Sequence, residues 1–328
     1  MRSAPEFLTA TISDARDAAL DVRQITLVPH GGFTPATPGS HISVEVPLDG
    51  LTRQRSYSVV DDSDGAWTIA VRRLDNGRGG SRFMSALQAG DTLRITRPSS
   101  HFDLSPAGPD YLLIAGGIGI TPLIGMARRL APRASMRLLY AGRSRAHMPF
   151  LDMLEALLGP KLAVFTDDAG LRLDLAAAFG PLHPDGEAYL CGPPSMLADA
   201  RRLWREAGRP AALLRFETFG SGGATDPEPF RVHVRDHGMT LEVARDASLL
   251  DTLARAGIDV ASDCQRGECG LCAVDVVGEA ALDHRDVFLS DAQRSEGHTL
   301  CACVSRAAGE ITIDTGFRPT LARTPVPA

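Results

Sequence analysis

The chain has 328 residues, too many for one typical hydrophobic core and enough for two or three domains. Its 44% hydrophobic and 23% charged residues are ordinary for a soluble globular protein, and a net charge of −6 argues against nucleic-acid binding. No apolar run is long enough to span a membrane, and the opening MRSAPEFLTA lacks a signal core; the expectation is a cytoplasmic monomer, whose six cysteines point to metal or catalysis before disulfides.

Residues 1–105 carry strand-like pieces at Gln24–Val28, His41–Val46, Arg55–Val59, Trp67–Arg72 and Thr92–Arg97. Turns such as Pro38-Gly39, Asp49-Gly50 and Asp64-Gly65 separate them, which predicts a small antiparallel barrel. The strand Arg55-Ser56-Tyr57-Ser58 presents a cation, a ring and hydroxyls. Alternation puts Arg55 and Tyr57 on one face, where a guanidinium suits a phosphate and a phenol ring suits a flat apolar ligand. Further on, Gly77-Arg78-Gly79-Gly80-Ser81 precedes a predicted helix, Ser81–Leu87, whose free N–H groups suit a second side of that phosphate. Ser81 either caps the helix or meets the phosphate. His41 is read as supporting a turn, and the nine histidines form no metal-binding pattern. Together these motifs resemble the flavin domain of the ferredoxin reductase-like family. The resemblance implies that Tyr57 packs on the isoalloxazine, that Ser58 lies near flavin N5, and that Arg55 and Ser81 hold phosphate.

Residues 106–220 alternate between strands and helices, which implies a parallel sheet with its ligand at the strands' carboxyl ends. Predicted strands are Tyr111–Ala115, Met136–Tyr140, Lys161–Phe165 and Glu187–Leu190; predicted helices are Pro122–Leu130, one near Phe150–Leu158, and one running through Trp204. The first strand runs into Gly116-Gly117-Ile118-Gly119-Ile120-Thr121-Pro122, a glycine turn that opens a helix and so suits a pyrophosphate. A later strand ends in Cys191-Gly192-Pro193-Pro194. Here the family resemblance implies a cysteine beside the nicotinamide, and it places Glu217 and Phe219 near the flavin–nicotinamide contact; read without it, Cys191 is a core thiol and Arg215–Phe219 an edge strand. After Tyr140 comes Gly142-Arg143-Ser144-Arg145, with no acidic residue to bind the ribose hydroxyls of NADH, so these side chains suit the 2′-phosphate of NADPH.

Residues 221–229 read as a flexible linker. The last block, 230–328, holds predicted strands Phe230–Arg235 and Thr240–Val243 and a helix near Leu249–Ala256. Next come Cys264-x4-Cys269-x2-Cys272 and, 28 residues on, Cys301. This is the plant-type spacing for four thiolates around a [2Fe–2S] cluster. A structural zinc site is the alternative, but Cys301-Ala302-Cys303 makes a poor second knuckle. With four ligands complete, Cys303 is expected as a small buried residue. The block resembles the plant-type ferredoxins, which implies a β-grasp fold and one-electron transfer. It carries 15 Asp and Glu against 10 Arg and no Lys, a net −5, either a solvated surface or a docking face for a basic partner.

The expected architecture is thus multidomain: an antiparallel β-barrel for flavin, an α/β parallel-sheet nucleotide domain and an α+β ferredoxin domain. In that order the whole chain resembles the phthalate dioxygenase reductase family, which includes the vanillate demethylase reductases. The resemblance implies FMN, a [2Fe–2S] cluster, NADH as the preferred donor with NADPH possible, and a Rieske-type terminal oxygenase as acceptor. A cytochrome P450 acceptor, or a non-enzymatic metal-binding or redox-sensing module, is the alternative.

Overall fold

A computed structural model describes residues 6–48, 50–74, 79–133, 135–219 and 227–316; Asp49, Gly77, Arg78 and most of the expected linker lie outside the described residues. The chain divides into two compact units, residues 1–219 and 220–328.

The first unit opens with β1 (Phe7–Ala19), β2 (Val22–Pro29), β3 (His41–Leu48), β4 (Leu51–Asp61), β5 (Trp67–Arg72), helix α1 (Gly80–Ala86) and β6 (Thr92–Thr96). The strands close into an antiparallel barrel in the order β1-β2-β5-β4-β3-β6. Alternation builds its interior: Ile25 and Leu27, Ile42 and Val44, and Ile69 all point inward and are fully buried. His41 directly follows the turn closed by the amide of Ser40 on the carbonyl of Thr37. It begins β3, is buried, and lies ring to ring with His101 at 5.6 Å.

The same unit continues with β7 (Tyr111–Gly116), α2 (Thr121–Leu130), β8 (Met136–Gly142), α3 (Leu151–Leu158), β9 (Leu162–Thr166), α4 (Leu175–Phe179), β10 (Glu187–Cys191), α5 (Pro194–Glu206) and β11 (Leu214–Glu217). These strands form a parallel sheet, β11-β10-β7-β8-β9. Every residue of β7 is buried because both faces of the sheet are covered. Leu113 and Ala115 meet Leu123, Ile124 and Leu154 on the α2 and α3 side, while Leu112 and Ile114 meet Phe179, Leu197 and Trp204 on the other. Barrel and sheet are joined within this unit: Arg128 of α2 donates to the carbonyl of Val60 (3.2 Å) and to Asp61 (2.5 Å) at the end of β4.

The second unit comprises β12 (Phe230–Val234), β13 (Met239–Val243), α6 (Leu249–Arg255), β14 (Ala273–Val277), β15 (Leu282–Asp283), α7 (Asp291–Glu296), β16 (Thr299–Cys301), β17 (Arg306–Ala307) and β18 (Glu310–Asp314). Its mixed sheet, β13-β12-β18-β14-β16, pairs β12 with β18 in parallel, and β15 and β17 form a separate ladder. Phe230, Val232 and Val234 alternate inward against Leu249 and Leu253 of α6, a helix capped by Ser248, whose side chain accepts the amide of Asp251 at 3.0 Å. This core draws only on its own unit. Among the described residues no helix is long and apolar enough to cross a membrane.

Candidate functional site

On β4, Arg55 and Tyr57 stand opposite Val44 and Ile42 of β3, so they share the face the sequence assigns them. Tyr57 packs against the barrel core, and burial pushes its phenol up to about 12. Arg55 lies against the first turn of α1: a Cβ built on Gly80 would stand 3.2 Å from its Nε. Ser56 reaches Ser43 of β3, hydroxyl to hydroxyl, at 3.4 Å. Ser58 is buried, and its hydroxyl has no hydrogen-bond partner among the described residues. Buried hydroxyls are rarely left that way, so this one fits the polar edge of a bound ring. Ser81 does not cap α1, whose N-cap is Gly79. Its hydroxyl instead accepts the amide of Leu74 at 3.1 Å, tying the helix to the end of the preceding segment.

At the carboxyl ends of the parallel strands, register puts Cys191 of β10 beside Ala115 of β7 on one side and Glu217 of β11 on the other. Cys191 and Glu217 are both buried; Phe219, just beyond, is partly exposed. The glycine turn packs on the Cys191 turn. A Cβ on Gly119 would stand 2.2 Å from the carbonyl oxygen of Cys191, so only glycine permits the approach. Gly116 lies against Pro193 and Gly192, and Gly117 takes a positive φ of 56°. Thr121 donates to the carbonyl of Ile118 at 3.0 Å, and Pro122 occupies the first turn of α2. The glycine turn and the turn after β10 thus pack together as one surface.

Two of the three residues expected to hold a 2′-phosphate have partners within the chain. Arg145 pairs with Glu155 at 2.7 Å and Ser144 with the Nδ1 of His147 at 2.8 Å; Arg143 is exposed. The neighbouring strand end, missed from sequence, brings two exposed carboxylates. Gly142 pairs with Thr166, and the amide of Asp168 donates to the carbonyl of Arg143 at 3.0 Å, so Asp167 and Asp168 flank the turn.

In the second unit the amides of Arg266, Glu268 and Cys269 all point at the Sγ of Cys264, each at 3.4 Å. Cys264 contacts Cys269, and the shared hydrogen bond lowers the Cys269 thiol while raising that of Cys264. Cys272 contacts both Cys301 and Cys303, which lowers Cys272 and raises the other two. Cys303 is buried as expected, yet it stands among the thiols rather than apart from them. Among the described residues no three of His, Cys, Asp and Glu converge as a site for a single metal ion. The thiols fall into two groups, Cys264 with Cys269 and Cys272 with both Cys301 and Cys303; a cluster with two irons takes two thiolates on each. Gly270, at φ 72°, is covered by Phe288: a Cβ there would stand 2.3 Å from the ring. The cluster loop itself adds little to the acidity of this block. Glu268 pairs with Arg266 at 3.2 Å, and their side chains are only 12% and 10% exposed.

A barrel with an unsatisfied hydroxyl, a nucleotide-type sheet and grouped thiols define a flavin- and [2Fe–2S]-dependent oxidoreductase. Comparison with known proteins agrees: residues 232–308 match the 2Fe-2S iron-sulfur cluster binding domain, and residues 32–104 match the oxidoreductase FAD-binding domain. Phthalate dioxygenase reductase of Burkholderia cepacia is 33% identical over 94% of this chain and 97% of its own. The heme-dependent oxidative N-demethylase beta subunit of Ectopseudomonas mendocina (strain ymp) is 34% identical over 92% of this chain and 97% of its own. Among solved structures, a phthalate dioxygenase reductase superimposes with a TM-score of 0.78 at 30% identity, covering 94% of this chain and 98% of that one. A type IV self-sufficient cytochrome P450 monooxygenase matches with a TM-score of 0.67 at 35% identity, over 94% of this chain and 41% of that one. The chain belongs to the phthalate dioxygenase reductase family: it is the reductase component of an oxygenase system, carrying electrons from a pyridine nucleotide through flavin to a [2Fe–2S] cluster.

Proposed function

We propose that the flavin is FMN, the donor NADH, and the acceptor a Rieske-type terminal oxygenase, with this chain acting as a monomer. The observation that carries the acceptor class is the match to phthalate dioxygenase reductase over nearly the whole of both chains, in sequence and in fold. When bound, the flavin accepts two electrons as hydride and the cluster passes them on singly. The chain's own residues do the holding. Arg55 and the first turn of α1 seat the flavin phosphate, with Ser81 and Gly80 beside them. Tyr57 packs on the ring, and Ser58 donates to its polar edge. The turn Gly116–Pro122 takes the pyrophosphate, while Cys191, Gly192, Pro193, Glu217 and Phe219 flank the nicotinamide. Arg143, Ser144 and Arg145 border the adenosine end.

Cys264 and Cys269 hold one iron; Cys272 and a thiol of the Cys301–Cys303 turn hold the other. Cys301 is the ligand expected from spacing. Two contacts favour Cys303 in its place: the amide of Gly267, in the cluster loop, donates to Cys303, whereas Cys301 feels the negative charge of Asp286. Iron content of Cys301→Ala and Cys303→Ala decides between them, since the variant lacking the true ligand loses its cluster. Chromatography of the extracted flavin should return FMN, and recovery of FAD would overturn that part of the reading. A second acceptor class has support in the cytochrome P450 match, where a segment similar to this chain lies within a longer monooxygenase. Electron delivery to a purified Rieske oxygenase and to a P450 distinguishes the two.

A further inference from the structure

The two parts of the thiol site, the loop Cys264–Cys272 and the turn Cys301–Ser305, are tied together by one buried carboxylate. The side chain of Asp286 has no exposed surface. It accepts the hydroxyl of Ser305 at 2.9 Å and the amide of Leu289 at 2.9 Å. Ser305 in turn gives its amide to the carbonyl of Cys301 at 3.0 Å, and its hydroxyl accepts the amide of Arg285 at 3.0 Å. On the loop side, the carbonyl of Gly267 accepts the amides of Val287 (2.9 Å) and Phe288 (3.2 Å). The contact is close enough that a Cβ on Gly267 would stand 2.8 Å from the Cα of Asp286. The guanidinium of Arg294 approaches the carboxylate at 3.7 Å, and the Nδ1 of His284 also lies at 3.7 Å. Burial alone would raise the Asp286 carboxyl. The hydrogen bonds from Leu289 and Ser305, the nearby imidazole of His284 and the charge of Arg294 outweigh it, and the group is held below the usual carboxylate range.

A fixed negative charge in a water-poor interior raises the cost of placing an electron nearby, and net charge and hydrogen bonding are the levers by which a protein sets an iron–sulfur potential. We infer that Asp286 is a positioning residue that lowers the reduction potential of the [2Fe–2S] cluster, making the reduced protein a stronger one-electron donor. The inference rests on the iron–sulfur reading above. The step it acts on is the passage of one electron from reduced flavin to the oxidised cluster, in which no bond to the protein forms or breaks.

Full-length protein carrying Asp286→Asn, Ser305→Ala or Arg294→Gln is compared with the unsubstituted chain by iron and sulfide content, electron paramagnetic resonance and dye-mediated potentiometric titration. Asp286→Asn should keep its iron and shift the cluster midpoint to a more positive value while leaving the flavin midpoint in place. Ser305→Ala, which keeps the charge, should shift it less. Arg294→Gln removes a compensating cation and should shift it the opposite way, and it carries the test if Asp286→Asn fails to assemble a cluster. An unchanged midpoint in a fully loaded Asp286→Asn protein overturns the inference, as does a Ser305→Ala shift of equal size or a positive shift in Arg294→Gln. Absence of [2Fe–2S] signals from the unsubstituted chain would be a different result, the failure of the cluster reading itself.

Discussion

Asp168 meets Arg143 through a backbone hydrogen bond because parallel register sets the end of β9 beside the end of β8. A ribose 2′-hydroxyl can donate to a carboxylate there, whereas a 2′-phosphate is repelled by it. With Arg145 paired to Glu155, the expectation is that these carboxylates outweigh the exposed Arg143 and favour NADH. Replacing Asp167 and Asp168 together by Ser should move the ratio of kcat/KM for NADH over NADPH toward NADPH by about tenfold, or roughly 1.4 kcal/mol. Steady-state kinetics with both donors measures it. A ratio unmoved by that change, but altered by Arg145→Ala, would give the discrimination to the arginine. The sequence displays the two arginines after β8 plainly. It hides the carboxylates because they follow a different strand and reach the site only through sheet register. Ser58 shows the opposite case: its position was legible from R-x-Y-S, while its unsatisfied hydroxyl emerges only once the surroundings are folded.

Among elements, the turn from β7 into α2 and the turn after β10 behave as one piece. The first can approach the second only while Gly119 has no side chain, since the atoms it would strike belong to the backbone of Cys191 and Gly192. Gly119→Ala should therefore displace the Cys191 turn by several tenths of an ångström. Hydride transfer depends steeply on such geometry. Rapid-mixing measurement of flavin reduction should show at least about a tenfold slower step, with flavin content retained because the barrel is untouched. A normal rate would mean that Cys191 is not part of the nicotinamide site. Most elements were readable from apolar alternation, within one or two residues of their ends. β1 was not: in Phe7–Ala19 only Ala10 and Ile12 are buried, and two irregularities in its pairing with β2 break the alternation. The helix α4 escaped because its five residues are too short for a helical period to register.

For the molecule as a whole, the charge of −5 on residues 230–328 meets a partner as a broad field, since Glu268 is paired with Arg266 and largely covered. Leu271 within the cluster loop and Phe288, which covers Gly270, are 45% and 47% exposed. Electron delivery to the oxygenase should then slow as salt shortens the Debye length from about 10 Å at 0.1 M to about 3 Å at 1 M. Flavin reduction within the chain should change far less. Stopped-flow series of both steps make the comparison. Asp263→Asn should soften the salt slope slightly. Glu268→Gln should act on the loop itself, lowering iron retention, because it removes the charge from a largely buried pair with Arg266. An intermolecular step indifferent to salt would hand the docking to the apolar pair.

The burial of the thiols also decides how the protein ages in air. Sulfur is attacked by peroxide or an alkylating reagent where it meets solvent. Of the six, Cys269 is partly exposed and the other five are buried. Cys269 is therefore where oxidative wear begins, and its modification opens the site from the one side that solvent already touches.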